Sequence, residues 1–371
     1  MSVMRRLALP LAFLLALASP AAADIRIAVI APMTGPYESL GAQMRAGAEK
    51  AVADINASGG VRGERLVLDV EDDACKAEEA AAAANRAIGR GDVFVVGHLC
   101  AASANAAAAV YIERGTLAIT PGVTRNTYTD ERAGPTLFRL APRDDAQGAF
   151  LGAELARLFP DARIAVLDDR STYGKTLADA TRGAMNAAGK REALAESFEP
   201  GARDYGRLAA RLVDDAIDVV FIGGWHGDIA LILEALRARG SDATIVGGDA
   251  LGTSEYRVAG GTAVAGTLFS FFTDWRDSPS AAAVVAALRA AGTEPEGFVL
   301  PAYAAVQLFA AAARVADPKD GAALAAVLSS AETPTILGGV SFDAKGDARL
   351  PFYALYRWGE RTFSPLEEER P

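Results

Sequence analysis

The chain contains few of the residues from which most enzyme and metal sites are built. Its 371 residues include two cysteines, Cys75 and Cys100, and two histidines, His98 and His226. Neither histidine has cysteine, histidine or carboxylate neighbours at metal-ligand spacing. The sequence also lacks a Gly-x-Ser-x-Gly elbow and a glycine-rich phosphate loop. These absences predict a protein that is not an enzyme and that uses no metal and no cofactor.

The chain also has few long apolar runs, and its net charge is negative. The strongest apolar run, residues 7–18, follows Arg5 and Arg6 and leads to small residues that end at Ala23. This order predicts a signal peptide, residues 1–23, that is cleaved near Ala23 and directs the protein to the periplasm. The formal net charge of −10 argues against nucleic acid and anionic membranes as partners. We expect no direct insertion into the membrane.

The two cysteines form the one pair available for a disulfide in this exported chain. An oxidising compartment favours a bond between Cys75 and Cys100. Cys100 ends an apolar, strand-like run and precedes an alanine-rich segment that we predict to be helical. Ligands of open α/β sheets bind at the carboxyl ends of strands. The disulfide therefore either pins the rim of a ligand cleft or is a purely structural staple, and the cysteines alone leave both interpretations open.

Short apolar runs and amphipathic segments alternate along the chain. Residues 25–30 and 66–70 have the composition of buried strands, and residues 40–57 between them keep apolar side chains at helical spacing. The same alternation restarts near residue 143. It predicts an α/β fold with two doubly wound lobes, each built on a mostly parallel sheet with helices on both faces.

Several short motifs, in a fixed order, match a known family. Through them the chain resembles the periplasmic branched-chain amino acid binding proteins of ABC transporters, the leucine/isoleucine/valine-binding family. The matching segments are residues 47–56, 72–75, 97–100, 119–124, 144–148, 173–174, 223–226 and 342–347.

The resemblance implies a Venus-flytrap architecture, the type I periplasmic binding protein fold, with two lobes joined by three crossovers. The N-lobe would hold residues 24–142 and 273–350. The C-lobe would hold residues 143–272 and 351–371. The crossovers would lie near residues 141–144, 271–274 and 350–352.

On the N-lobe, the resemblance implies a ligand contact at the start of the alanine-rich helix. Cys100 and Ala101 would present backbone N–H groups to the ligand α-carboxylate, and a helix N-terminus favours such a charge. Ala101 replaces a serine of the family, so the hydroxyl is lost while the amide remains. Gly122, Val123 and Thr124 match the loop whose threonine contacts the carboxylate and the ammonium.

On the C-lobe, the resemblance implies that Tyr173, Trp225 and Asp249 complete the ligand site. Asp249 stands where the family has glutamate, and it would neutralise the ligand ammonium through a charge-assisted hydrogen bond. Trp225 replaces a tyrosine. In the side-chain pocket, Phe298 matches a family aromatic and Leu40 replaces a tyrosine.

The resemblance implies that the protein captures an amino acid, with branched-chain or aliphatic side chains as the leading class, and delivers it to the membrane subunits of an ABC permease. The departures at Ala101, Leu40, Trp225 and Asp249 change the polarity and the volume of the pocket. The alternatives are therefore an amide or an aromatic acid as the ligand. A third alternative is a sensory role for the same ligand-binding fold.

Overall fold

The computed structural model describes residues 24–35, 37–170, 172–252 and 254–366. The predicted signal peptide lies outside the described residues. Within them, no helix combines the length and the apolar character needed to span a membrane. The strands are β1 (Ile25–Ala31), β2 (Leu66–Asp72), β3 (Phe94–Gly97), β4 (Leu117–Thr120), β5 (Leu137–Arg139), β6 (Ile164–Asp168), β7 (Leu194–Ser197), β8 (Val219–Gly223), β9 (Thr244–Gly247), β10 (Leu268–Phe272), β11 (Thr333–Thr335), β12 (Gly338–Phe342), β13 (Ala348–Arg349), β14 (Tyr353–Trp358) and β15 (Phe363–Pro365). The helices are α1 (Glu38–Ala57), α2 (Ala77–Gly89), α3 (Ala101–Arg114), α4 (Thr127–Asp130), α5 (Ala146–Leu158), α6 (Thr172–Ala187), α7 (Gly206–Asp214), α8 (His226–Arg237), α9 (Ser254–Gly260), α10 (Ala282–Ala290), α11 (Val299–Ala313) and α12 (Gly321–Ser330).

Two main sheets organise the described part of the chain. The first has five parallel strands in the order β2-β1-β3-β4-β5. The second has the order β15-β14-β10-β9-β8-β6-β7, and its strands β6 to β10 repeat the order of the first sheet. Winding reverses between β1 and β3 and between β6 and β8, which is where open α/β sheets bind ligands. The predicted α/β fold with two mostly parallel sheets is confirmed.

The chain passes between the two sheets three times within the described residues. It leaves the first sheet after β5 and enters the second at β6. After β10 it returns to the side of the first sheet. There α11 and α12 pack into the core that also contains β1 and α1, called here the first core. It crosses again between β13 and β14, and β14 pairs antiparallel with β10. The lobe boundaries given above stay a prediction.

Glycines allow two pairs of helices to pack closely, one pair beside each main sheet. A Cβ at Gly47 in α1 would lie 2.0 Å from the carbonyl oxygen of Val299, so α11 can pack directly on α1. A Cβ at Gly152 in α5 would lie 2.3 Å from the carbonyl oxygen of Thr181 in α6. The sequence pattern did not predict α5, because glycine lowers helix propensity.

A buried carboxylate lies at the amino-terminal edge of the first sheet. Asp92 is 3% exposed and precedes β3. Burial and the neighbouring Asp69 carboxylate raise the pKa of Asp92 to about 7, and Arg90 and Arg26 oppose this only in part. Folding therefore favours the protonated form of Asp92. Its contribution to stability is complete below the ordinary pKa of 3.8 and is lost as the pH rises through about 7.

We expect Asp92→Asn to stabilise the protein at pH 8 and to change little at pH 4.5. Asparagine keeps the shape of the aspartate side chain and removes the buried charge. Because one pKa unit corresponds to about 1.4 kcal/mol, we expect the free energy of unfolding at pH 8 to rise by on the order of 2–4 kcal/mol. Denaturant unfolding of both proteins across this pH range measures the difference. Glu113→Gln, at an exposed site, is the control. A difference that does not grow with pH would contradict the assignment.

Candidate functional site

Most of the residues predicted to contact ligand follow the carboxyl end of a sheet strand. In the first sheet, Cys100 and Ala101 follow β3, and the segment from Gly122 to Thr124 follows β4. In the second sheet, Tyr173 follows β6 with a short loop between them, and Trp225 and Asp249 follow β8 and β9. These are the strand ends at and beside the two winding reversals. Each sheet thus has one polar rim, called here the first rim and the second rim.

The disulfide lies on the first rim. Cys75 and Cys100 are bonded, with 5.4 Å between their Cα atoms, as the sequence predicted. Cys100 is the N-cap of α3, and its side chain makes no capping hydrogen bond. Ala101 is the first helical residue. The first turn of a helix leaves backbone N–H groups without intrahelical partners, so this end of α3 offers donors and a partial positive charge.

A buried network of polar side chains holds the segment that leads into α3. The Nδ1 atom of His98 lies 2.6 Å from Asp73 Oδ2, and its Nε2 atom lies 2.7 Å from the hydroxyl of Tyr111. Asp73 Oδ1 also accepts the backbone N–H of Cys75. Thr120 Oγ1 donates to the carbonyl oxygen of His98. Burial raises the pKa of Tyr111, which keeps its hydroxyl protonated. The network ties the disulfide loop to β3, β4 and α3.

The preceding acid holds a different loop. Asp72 Oδ1 accepts the backbone N–H groups of Met33 and Ala74, both at 2.8 Å, and Oδ2 accepts the hydroxyl of Thr34. Burial alone would raise the pKa of Asp72, but these hydrogen bonds lower it below its usual value. Asp72 therefore caps the turn that follows β1 and leads to Leu40. The two adjacent acids, Asp72 and Asp73, thus hold two different loops of the first rim.

The loop after β4 presents one of its three predicted residues, Thr124, with an exposed side chain. Val123 is 1% exposed and packs in the core formed with α2 and α3, so its side chain cannot reach a ligand in this structure. The backbone N–H groups of Gly122 and Val123 donate to Thr120 Oγ1 at 3.2 and 3.0 Å. The side chain of Thr124 is exposed. Thr124 is thus the residue of this loop whose side chain is open to contact.

A buried ion pair fixes the Thr124 loop. Arg139 is 0% exposed, and its Nε and Nη2 atoms lie 2.7 and 2.6 Å from Asp347 Oδ1. Its Nη1 atom donates to the carbonyl oxygens of Thr124 and Arg125 at 3.2 and 2.7 Å. Arg143, in the first crossover segment, donates to Asp347 Oδ2 at 3.1 Å. This network could not be predicted from the sequence pattern, because Asp347 lies more than 200 residues from Arg139 and from Arg143.

The second rim contains a carboxylate with two neutral donors. Asp249 Oδ1 accepts the Nε2 amide of Gln147 at 2.8 Å and the hydroxyl of Tyr173 at 3.0 Å. Burial and the Asp249 charge raise the pKa of Tyr173, so the phenol stays protonated. The ring of Trp225 lies 5.1 Å from that of Tyr173, and Trp225 is 54% exposed. The neutral donors orient the carboxylate without cancelling its charge. The sequence analysis did not identify Gln147.

A cavity of about 470 Å³ extends from the Thr124 loop along the three crossover segments. Of the predicted site residues, Gly122, Thr124 and Phe298 line it. Leu40 and Phe298 are half-buried against the first core, and the N–H of Phe298 donates to Gln43 Oε1 at 3.1 Å. The other predicted site residues lie outside its lining: Leu40, Cys100, Ala101, Val123, Tyr173, Trp225 and Asp249. The other walls come from residues 140–142, 271–276, 295–301 and 352.

The described residues contain no cluster of three or more histidine, cysteine or acidic side chains placed to hold a metal ion. What the site offers instead is a carboxylate on the second rim, a helix N-terminus on the first rim and an apolar cavity. Such an arrangement can bind a small ligand that carries both charges.

The fold and these rims define a class, the two-lobed solute-binding proteins. Residues 24–360 match the family model described as periplasmic binding protein. The Leu/Ile/Val-binding protein homolog 1 from Brucella suis is 38% identical over 349 residues, which are 94% of each chain. The amino acid binding protein from Pseudomonas aeruginosa is 38% identical over 358 residues, 96% of each chain.

Solved structures give the same assignment. The ABC transporter substrate-binding protein from Desulfitobacterium hafniense, in its complex with Leu, aligns with a TM-score of 0.68 at 25% identity. The alignment covers 92% of this chain and 100% of that protein. The chain belongs to the periplasmic binding protein family, as the motifs indicated. The family implies a periplasmic location and a substrate-binding role.

We expect Asp347→Asn to destabilise the protein strongly and to loosen the Thr124 loop. The substitution leaves the buried Arg139 guanidinium without its counter-charge, which costs about 3–5 kcal/mol in comparable sites. Urea or guanidinium unfolding measures the loss. Glu154→Gln is the matched control, because Glu154 pairs with the half-exposed Arg157 and such surface pairs contribute about 0–1 kcal/mol. If the two substitutions lowered the free energy of unfolding equally, the buried pair would contribute no more to stability than a surface pair.

Proposed function

We propose that this protein is the substrate-binding component of an ABC importer and that it captures an amino acid between two lobes. One observation carries the proposal. A carboxylate oriented by neutral donors, Asp249, stands on the second rim, and a helix N-terminus, at Ala101, stands on the first. The two charges of an amino acid head group are complementary to this pair. A charge-assisted hydrogen bond to the ammonium and backbone N–H donors to the carboxylate would hold it.

The proposed roles follow from the placement of each residue. Asp249 accepts from the ligand ammonium, with Tyr173 fixing the carboxylate and Trp225 closing over the ligand. On the first rim, the N–H groups at Ala101 and the hydroxyl of Thr124 bind the ligand carboxylate. Phe298 and Leu40 contact the ligand side chain. Gly122 allows the chain to approach closely, since a Cβ there would lie 2.7 Å from Leu99 Cδ1. Val123 precedes Thr124 in the same loop and anchors it, with its side chain in the core.

The proposed mechanism is closure about the crossovers. The lobes would be residues 24–142 with 273–350, and residues 143–272 with 351–371. A ligand that contacts both rims binds the closed arrangement better than the open one and shifts the population towards it. The closed complex would then deliver the amino acid to the membrane subunits of a permease. The signal peptide, residues 1–23, would be removed during export to the periplasm.

The relatives support an amino acid as the ligand class. The Brucella suis protein is described as a Leu/Ile/Val-binding homolog, and the Desulfitobacterium hafniense structure contains Leu. The site of this chain keeps an acid, a tyrosine and a threonine at the positions that would contact the head group. Amino acids with uncharged, apolar side chains are therefore the proposed substrates.

We expect the ligand-stripped mature protein to bind L-leucine far more tightly than 4-methylpentanoate, which is leucine without its ammonium group. In Asp249→Asn this discrimination should collapse. Removing one partner of a buried, hydrogen-bonded charge pair costs about 2–5 kcal/mol, so we expect a loss of at least about thirtyfold in leucine affinity. Isothermal titration calorimetry measures both ligands on both proteins.

Asp242→Asn is the matched control, because Asp242 is an exposed acid just before β9. It should bind leucine like the wild type. If the wild type binds no amino acid, the proposed function is wrong. If it binds leucine and Asp249→Asn binds it equally well, the amino acid class stands and the role of Asp249 is wrong.

A further inference from the structure

We propose that the cavity along the crossovers receives the side chain of the bound amino acid and selects a bulky, uncharged aromatic ring, so that phenylalanine binds more tightly than valine. This inference rests on the proposed function and names the substrate class of the same site. It is carried by the position, the wall chemistry and the size of the cavity.

The position of the cavity connects it to the head-group contacts. Thr124 and Gly122 are part of the lining, so a ligand held at this loop would border the cavity. The lining also includes residues 140–142, 271–276 and 352, which lie in or next to the three crossover segments. A side chain that leaves the head group in this direction would therefore enter a preformed space.

The walls of the cavity are rich in aromatic rings. They include Phe271, Phe272, Trp275, Phe298 and Phe352. Trp275, Phe298 and Phe352 are half-buried against the first core, so a fixed surface supports them. Phe272 is 47% exposed, and its ring lies 5.9 Å from that of Phe271. Aromatic pairs in offset or edge-to-face contact gain energy beyond the burial of their area, so rings of this kind favour an aromatic ligand over an aliphatic one of equal charge.

The charged residues of the lining are already compensated or exposed. Arg276 donates to Asp274 at 2.6 Å and to Glu294 at 3.0 Å. Asp274 also accepts the backbone N–H of Arg276 and caps the short turn Trp275–Asp277. Glu296 is exposed. A ligand with a charged side chain would exchange water for an apolar wall at high cost, so the cavity selects against acidic and basic side chains.

The size of the cavity separates large apolar side chains from small ones. Its volume of about 470 Å³ falls within the range of pockets that bury whole small molecules, about 300–1,000 Å³. The three-carbon side chain of valine would leave much of the wall without contacts, and uncontacted walls lose dispersion energy. A phenyl ring reaches further and touches more of the aromatic lining.

The test compares L-phenylalanine, L-leucine and L-valine on ligand-stripped wild-type protein by isothermal titration calorimetry. These ligands share one head group, so differences in affinity report the side-chain site alone. We expect phenylalanine to bind at least tenfold more tightly than valine. Affinity for valine equal to or higher than that for phenylalanine would overturn the inference and leave the proposed function intact. Failure of all three ligands to bind would overturn both.

A cavity-filling variant tests the location of the side-chain site. Ala141→Leu adds three carbons at the lining and should weaken phenylalanine binding at least tenfold, while valine binding changes less than threefold. Ala286→Leu, on the exposed face of α10, is the matched control and should bind both ligands like the wild type. If Ala141→Leu lowered the affinities for phenylalanine and valine by the same factor, the phenyl ring would not occupy this cavity. Should Ala141→Leu fail to fold, Ala141→Val, which adds two carbons at the same position, replaces it with the same expected preference for loss of phenylalanine.

Discussion

The buried ion pair between Arg139 and Asp347 is the contact on which the rest of the site depends. Arg139 ends β5 and reaches back to the carbonyls of Thr124 and Arg125, while Asp347 belongs to the segment just before β13. Burying two charges is expensive, and such a pair is not favoured over apolar packing for stability alone. Its effect is positional, because one guanidinium aligns the Thr124 loop, the end of β5 and the strand that leads into the last crossover.

Arg143 extends this alignment to the opposite side of the first crossover. Its guanidinium donates hydrogen bonds to Asp347 and Asp130, and to Asp145, the N-cap of α5. On α5, Gln147 then holds Asp249. Hydrogen bonds on either side of the first turn of α5 thus connect the loop that carries Thr124 with the carboxylate on the second rim. The link between Asp145 and Gln147 is the backbone of α5 itself.

The sequence predicted what depends on local pattern. The buried strands β1 and β2, the helix α1 between them and the pairing of Cys75 with Cys100 follow from apolar periodicity and from cysteine count. The structure differs where long-range contact decides. Helix α5 contains Gly148 and Gly152, which suit close packing on α6 rather than helix propensity. The aromatic cavity could not be predicted, because segments near residues 122, 272, 298 and 352 meet only after the chain has crossed three times.

The placement of the cavity links ligand choice to closure under the proposed function. The head group contacts Thr124 on one rim and Asp249 on the other, so every amino acid that binds can draw the lobes together. The side chain would instead meet the crossover segments at Phe272 and Phe352, which are the parts of the chain that would bend during closure. A ring that fits there stabilises one crossover geometry, and a ligand shifts an equilibrium only by its difference in affinity for the two states. Selectivity would therefore appear in the extent of closure as well as in affinity, because one set of residues serves as both pocket wall and hinge.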